Sequence, residues 1–172
     1  MDIEAIFVDR DGTIGGTGHF IHPEDFVPYS FSSSAFQLAK ENHIPLFGFT
    51  NQHRISKGQA TMNDFYNEFK RYGFADAYIC PHRMDGDCNC HKPKPGLLLK
   101  AAEEHSLDLT KTVVIGDVGS DMLAAEVVGA KKILVLTGWG KSSLTAYRYT
   151  WQNVEPDFIA ENLLEAIRWI VK

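Results

Sequence analysis

The sequence predicts an α/β fold, a Rossmann-like parallel sheet with helices on both faces. Short apolar runs alternate with amphipathic stretches along the chain. Their spacing suits strands joined by crossover helices, hence a parallel sheet covered on both sides. Three of the runs also end in side chains able to bind a ligand, Asp9, Thr50 and Asp117. In open parallel sheets ligands bind outside the carboxyl ends of the strands, so these three residues are expected to converge.

In chain order, "AIFVD" (5–9) is a strand closing on an aspartate. "FSSSAFQLAKEN" (31–42) sets Phe31, Ala35, Phe36 and Leu38 at roughly helical spacing behind serines suited to capping. "IPLFGFTN" (44–51) is a strand. "TMNDFYNEFKRYGF" (61–74) places Met62, Phe65, Phe69 and Tyr72 on one helical face, with Gly73 as the stop. "AYIC" (77–80) is a short strand, and "KPGLLLKAAEEHSLD" (94–108) opens with proline at a helix start. "TVVIGD" (112–117) is a strand, "GSDMLAAEVVGA" (119–130) a helix closing on Gly129, and "KKILVLTGWG" (131–140) a buried strand with a glycine turn. "DFIA" and "ENLLEAIRWIVK" give a last strand and helix. No repeat, low-complexity segment or linker interrupts the series, so residues 1–172 are expected to form one domain, long enough to bury a full core.

The composition is globular, 44% hydrophobic and 23% charged, with a net charge of -5. That charge gives no general attraction to nucleic acid or to an anionic membrane. The pI of about 5.8 and the lack of a Lys/Arg stripe weigh further against a nucleic-acid partner. No apolar run approaches a membrane span. "MDIEAIFVD" lacks the make-up of a secretory signal, so a cytoplasmic monomer is the expectation.

All three cysteines, Cys80, Cys88 and Cys90, lie in "YICPHRMDGDCNCHKPKPG". A disulfide-stapled loop and a metal site are the two readings. Thiols stay reduced in the cytoplasm, and an odd count leaves one unpaired, which favours metal. Cys80-x-His82-x5-Cys88-x-Cys90 supplies three thiolates and an imidazole, a full tetrahedral set for zinc with no open position, hence a structural ion. The loop, 80–90, ends two residues before Lys92 and would hold that lysine in place.

"DRDGT" (9–13) sets two carboxylates two positions apart at a strand end. With an ordinary pKa of ~3.9 one is ionised at neutral pH, while the other, crowded by the first, can keep a proton to donate. A solvated acidic turn or a calcium loop is the competing reading, but the further ligands of a calcium loop are missing. In "GDVGSD" (116–121), Ser120 or Asp121 suits a helix start, and Asp117 is free to join Asp9 in a hard oxygen site for magnesium. "FTN" (49–51) offers a hydroxyl and an amide where an ordinary turn would also do. Lys92 and Lys94 are candidate phosphate-binding cations or solvated surface.

The order Asp9-x-Asp11-Gly-Thr, Thr50-Asn51, Lys92-Pro, then Gly-Asp117-x-x-x-Asp121 resembles the haloacid dehalogenase-like (HAD) phosphatase superfamily from residue 5 to about 138. The resemblance implies that Asp9 attacks phosphorus to form an aspartyl phosphate. It implies that Asp11 is the general acid and then the base that activates water. Thr50 and Lys92 would hold phosphoryl oxygens, and Asp9, the backbone carbonyl of Asp11, and Asp117 would bind magnesium. The zinc loop before Lys-Pro is similar to that of the D-glycero-D-manno-heptose 1,7-bisphosphate phosphatase group, with histidinol-phosphate phosphatase a close relative. That likeness implies sugar contacts from Thr17, Gly18, His19 and Phe20 in "GGTGHFIH" (15–22), and from Asn51, Gln52, His53 and His91. The gap of about forty residues between Thr50 and Lys92 leaves no room for a large cap domain.

Three departures from that group lie around the pocket: His91 where arginine is common, His53-Arg54 where small residues follow Thr-Asn-Gln, and "YSFSSSAF" in place of a Pro-Gly-Val type start. Histidine near neutral pH offers one donor and little charge. A bisphosphate's second phosphate is therefore expected to be held weakly at His91, with monophosphates competitive. The sequence expectation is a phosphomonoesterase on a small phosphate ester, a sugar phosphate first. Histidinol phosphate or a nucleic-acid 3'-phosphate is the alternative substrate. A silent phosphate-binding or zinc-stabilised interaction module is the alternative class, and it would have no use for both Asp9 and Asp11.

Overall fold

The computed structural model describes residues 2–172. Six strands form one sheet: β1 (Ala5–Val8), β2 (Leu46–Asn51), β3 (Asp76–Cys80), β4 (Thr112–Gly116), β5 (Lys131–Val135) and β6 (Phe158–Ala160). Their order is β3-β2-β1-β4-β5-β6, and each neighbouring pair is parallel. The chain winds outward from β1 to β3, then returns to β4 on the other side of β1. The crevice of such a sheet lies at this reversal, beyond the carboxyl ends of β1 and β4. Asp9 and Asp117 follow those two strands directly.

The helices are α1 (Ser32–Glu41), α2 (Met62–Arg71), α3 (Gly96–His105), α4 (Gly119–Val128), α5 (Gly140–Leu144) and α6 (Leu163–Val171). Side chains alternate across each strand, and both faces are apolar. Ile6 and Val8 of β1 pack with Ala35 and Ala39 of α1, Phe65 and Phe69 of α2, and Ile167 and Ile170 of α6. Ala5 and Phe7 pack on the opposite face with Leu97, Leu98 and Ala101 of α3 and with Ala124 and Ala125 of α4. Each large side chain removed from water contributes about 1.5–3 kcal/mol, so the two layers hold the sheet between them. Among the described residues, no helix is long and apolar enough to cross a membrane.

Local chemistry sets the helix ends. Thr61 caps α2 by accepting from the Asp64 backbone N–H at 3.1 Å, while Asp64 accepts from the Thr61 N–H at 2.8 Å. Gly129 ends α4 with a positive φ of 75°. The serines at the start of α1 do not cap it. The helix opens at Ser32 behind Phe31, whose ring has no acceptor to offer, and the Ser32 hydroxyl, one position inside, donates to the Ile14 carbonyl at 2.7 Å. The run 131–140 is a strand only to Val135, and its glycine turn leads into α5. One residue after β2 comes a 3₁₀ turn over His53–Lys57, a segment without hydrophobic periodicity.

Candidate active site

The backbone turns sharply after β1, and Gly12 takes a φ of +86°, a conformation open to glycine. A Cβ there would collide with the Asp117 carboxylate and approach Gly138. The turn thus lets the chain ends of β1, β4 and β5 close on one another, and Thr137 Oγ1 ties them by donating to the Gly12 carbonyl at 2.7 Å.

Asp9 is buried, 6% exposed, at the floor of an open cleft of about 170 Å³. The cleft is lined by Asp9, Asp11, Thr50, Asn51, Gln52 and Lys92 from the first three motifs, and by Asp117, Val118 and Ser120 from the fourth. Lys92 Nζ donates to Asp9 Oδ1 at 3.1 Å, to Asp121 Oδ1 at 2.6 Å and to the Phe49 carbonyl at 2.9 Å. Burial alone would lower the lysine pKa, but the Asp121 and Asp9 charges outweigh it and hold the ammonium charged above its ordinary range. The first turn of α4 faces the cleft through Val118 and Ser120, adding the positive end of a helix dipole.

Asp11 is held from two sides. Gln52 Nε2 donates to its Oδ2 at 2.6 Å and Arg10 Nη1 to its Oδ1 at 2.8 Å. Burial raises the Asp11 pKa to about 6, against the opposing pull of Arg10. Arg10 is itself fully buried. It pairs in a fork with Glu68 of α2, at 2.6 and 2.9 Å, and lies 3.9 Å from the Phe26 ring centre. The two carboxylates of "DRDGT" therefore differ in surroundings: Asp9 faces a cation, and Asp11 is fixed by neutral and charged donors where a proton is retained more readily.

Three buried carboxylates, Asp9, Asp117 and Asp121, bring oxygens within 4.8 Å of one another, and Lys92 is the ammonium among them. Burial first, then repulsion from Asp9 and Asp121, raises the Asp117 pKa well above the carboxylate range. Burial raises Asp121 to about 7, opposed by Lys92. The local excess of negative charge, on hard oxygen ligands, fits a divalent cation such as magnesium. Asp9 and Asp117 line the cleft and Asp121 does not, so the first two are the carboxylates placed to meet an ion there.

The other cluster is Cys80, His82, Cys88 and Cys90. All three cysteines are free thiols, with no disulfide. Cys80 Sγ lies 3.7 Å from Cys88 Sγ and 3.1 Å from Cys90 Sγ. His82 Nδ1 is 3.4 Å from Cys80 Sγ and 3.1 Å from Cys90 Sγ. A zinc tetrahedron with Zn–S of about 2.3 Å and Zn–N of about 2.0 Å has edges of roughly 3.4–3.8 Å; the Cys80–Cys88 and Cys80–His82 edges match it, and the two edges at Cys90 are a few tenths of an ångström short. Cys88 and Cys90 pack against the apolar layer of α3 and β3, which anchors the loop that leads into Lys92.

Not every expected contact lines the cleft. Gly18, Phe20 and His53 do, whereas Thr17, His19 and His91 do not. Thr17 and His19 are exposed at the loop tip. His91 turns toward the metal loop, its Nε2 3.3 Å from Asn51 Nδ2 and its Nδ1 3.9 Å from Cys80 Sγ. Burial, then the neighbouring Lys92, lowers its pKa. Lys94 is likewise turned away, donating to the Cys88 carbonyl at 2.5 Å. Gln52 is occupied by Asp11 and by Thr50 Oγ1 at 2.9 Å, so it orients two site residues. The sequence reading passed over Asp121 as a partner of Lys92. It also passed over Trp139, which lines the cleft and whose backbone N–H donates to Asp117 Oδ2 at 2.8 Å. The four-residue step from Asp117 to Asp121, one helical turn, was a legible signal for the first; nothing local pointed to the second.

Residues 89–166 match a hydrolase-like family described as HAD-hydrolase-like. A D-glycero-beta-D-manno-heptose-1,7-bisphosphate 7-phosphatase of Helicobacter pylori is 35% identical, over 97% of this chain and 97% of its own. The protein of the same name from Vibrio cholerae is 34% identical over 78% of this chain and 82% of its own. In fold, the chain is similar to the crystal structure of D,D-heptose 1.7-bisphosphate phosphatase from B. bronchiseptica complexed with magnesium and phosphate. That similarity has a TM-score of 0.84 at 24% identity and covers 98% of both chains.

Proposed function

Because the chain belongs to the HAD-like phosphatases, we propose that it is a magnesium-dependent phosphomonoesterase acting on a sugar bisphosphate, heptose 1,7-bisphosphate foremost, through an aspartyl phosphate on Asp9. The names of its 34–35% identical relatives supply the substrate. One observation carries the chemistry: two neighbouring carboxylates in unlike surroundings, Asp9 against the Lys92 ammonium and Asp11 gripped by Gln52 and Arg10.

In the first half-reaction an Asp9 carboxylate oxygen bonds to phosphorus and the bond from phosphorus to the sugar oxygen breaks. Asp11 gives that oxygen its proton, and the alcohol leaves. In the second half-reaction water attacks the phosphorus and passes a proton to Asp11. The Asp9–phosphorus bond then breaks to release inorganic phosphate. Thr50 and Lys92 hold the phosphoryl oxygens, and Asp121 keeps Lys92 charged and aimed. Magnesium, held by Asp9, Asp117 and the backbone carbonyl of Asp11, would neutralise charge that otherwise keeps a carboxylate and a phosphate dianion apart. Zinc at Cys80, His82, Cys88 and Cys90 would be structural, pinning the loop that presents Lys92. The protein would act in the cytoplasm as a monomer of one domain.

Release of inorganic phosphate from heptose 1,7-bisphosphate, with magnesium, by the parent and by Asp9→Asn tests this reading. Turnover by the parent and none by the variant is expected. A parent inert toward every phosphate ester in a broad panel would instead point to a binding module.

A further inference from the structure

Arg54 stands in the 3₁₀ turn after β2 and lines the same cleft as Asp9 and Lys92. Its Nη1 donates to Gln59 Oε1 at 3.0 Å, and its guanidinium carbon lies 5.5 Å from the centre of the Phe20 ring. Its Nε is the one buried side-chain nitrogen or oxygen, among the described residues, without a hydrogen-bond partner. Buried donors are ordinarily paired, and an unpaired one beside a binding cleft is a place for an acceptor that arrives with the ligand.

The other cations of the site are already neutralised. Lys92 is held by two carboxylates. Arg10 uses its own Nε–Nη2 edge on both oxygens of Glu68, which shows the fork that such an edge makes with a planar or tetrahedral anion. Arg54 has the same edge available and no carboxylate on it. Gln59 and Phe20 restrict the guanidinium before any ligand binds. His91, expected from the sequence to meet a second anionic group, points instead at Asn51 and Cys80.

We propose that Arg54 is a specificity-determining residue of this cleft: its Nε–Nη2 edge grips the non-reacting phosphate of a sugar bisphosphate whose other phosphate lies at Asp9. The inference rests on the phosphatase reading above and adds to it the residue that recognises the second phosphate, on the turn after β2.

The test is kcat/KM, with magnesium, for a sugar bisphosphate and for the matching monophosphate that lacks the non-reacting phosphate, in the parent, Arg54→Met and Arg54→Lys. The parent should prefer the bisphosphate. Arg54→Met should lower the ratio of the two by about 10- to 100-fold, the usual effect of losing a charge-assisted pair. Arg54→Lys should recover part of it, since lysine keeps the charge but not the fork. An unchanged ratio in Arg54→Met, an equal loss on both substrates, or a parent without preference overturns the inference. Should Arg54→Met fail to fold, Arg54→Lys decides alone, because its ratio must still fall. Failure of the phosphatase reading looks different: the parent then releases phosphate from neither compound, and the inference falls with it.

Discussion

Arg10 and Glu68 meet across 58 residues of chain in a forked ion pair in which neither side chain touches solvent. The pair ties α2 to the loop after β1, and the remaining guanidinium nitrogen fixes Asp11 at 2.8 Å. Stability and the placement of the proton donor therefore depend on the same guanidinium.

Glu68→Gln leaves that guanidinium buried with Asp11, at one nitrogen, as its remaining counter-charge. Removing one partner of a buried pair costs about 3–5 kcal/mol. Urea unfolding of parent and variant measures it. A loss under about 1 kcal/mol would mean that the pair contributes no more than a surface contact does.

Asp11→Asn removes the proton donor and should lower turnover by ~10²–10⁴-fold. Turnover of every substrate falls with the lost base, but the single-turnover rate of phosphoryl transfer to Asp9 should fall far more for an alkyl phosphate than for p-nitrophenyl phosphate, whose leaving group departs without a proton. Equal losses of that rate on the two substrates would deny Asp11 the role of general acid.

The crowded carboxylates give the magnesium-free protein a pH dependence. Burial, with like charges, raises Asp117, and burial raises Asp121 to about 7. A group whose pKa rises on folding contributes stability that is complete at low pH and lost as pH climbs through the folded value. Lys92 is also raised, but it stays charged in both states at these pH values and adds no slope. His53 and His91, lowered by burial, and the Cys88 thiol, whose burial is outweighed by hydrogen bonds that lower it to about 6, act in the opposite sense. Read as the difference between the parent and Asp121→Asn, which cancels those groups, stability should therefore rise by about 1 kcal/mol as pH falls from about 8 to about 6.5. Saturating magnesium should flatten the slope. A difference in urea midpoints between the two proteins that declines with acidification over the same range would contradict it.

Metal analysis of freshly purified, reduced protein should find one zinc per chain. Cys88→Ser should lose the ion, lower the melting temperature and reduce kcat by loosening Lys92, although the cluster does not line the cleft. Full activity in protein free of zinc would detach the loop from the phosphate site.

Much of this was legible in the chain because strands impose their own geometry. Asp9, Thr50 and Asp117 each follow an apolar run, and a parallel sheet leaves those ends nowhere to go but one edge. The zinc ligands were legible because thiols are rare and their spacing is short. Other features depend on tertiary partners that a local pattern does not reveal. Arg10 reads as a solvated charge until Glu68, on the apolar face of α2, supplies its counter-charge. Ser32 reads as a cap until Ile14 takes its hydroxyl. His91 follows the zinc loop directly, and its direction is set by Asn51 and Cys80 rather than by its neighbours in sequence. The turn carrying Arg54 has no periodicity, so its place on the cleft wall became visible only with the fold.

The covalent role of Asp9 is tested most directly by trapping. Asp11→Asn, short of the base that activates water, is mixed with magnesium and p-nitrophenyl phosphate, whose leaving group needs no proton, then quenched in acid and digested, and the peptide bearing Asp9 is weighed. One hydroxylamine-labile phosphoryl group is expected on Asp9, absent when Asp9 is also asparagine. An unmodified peptide, together with near-parent turnover by Asp9→Asn, would contradict it.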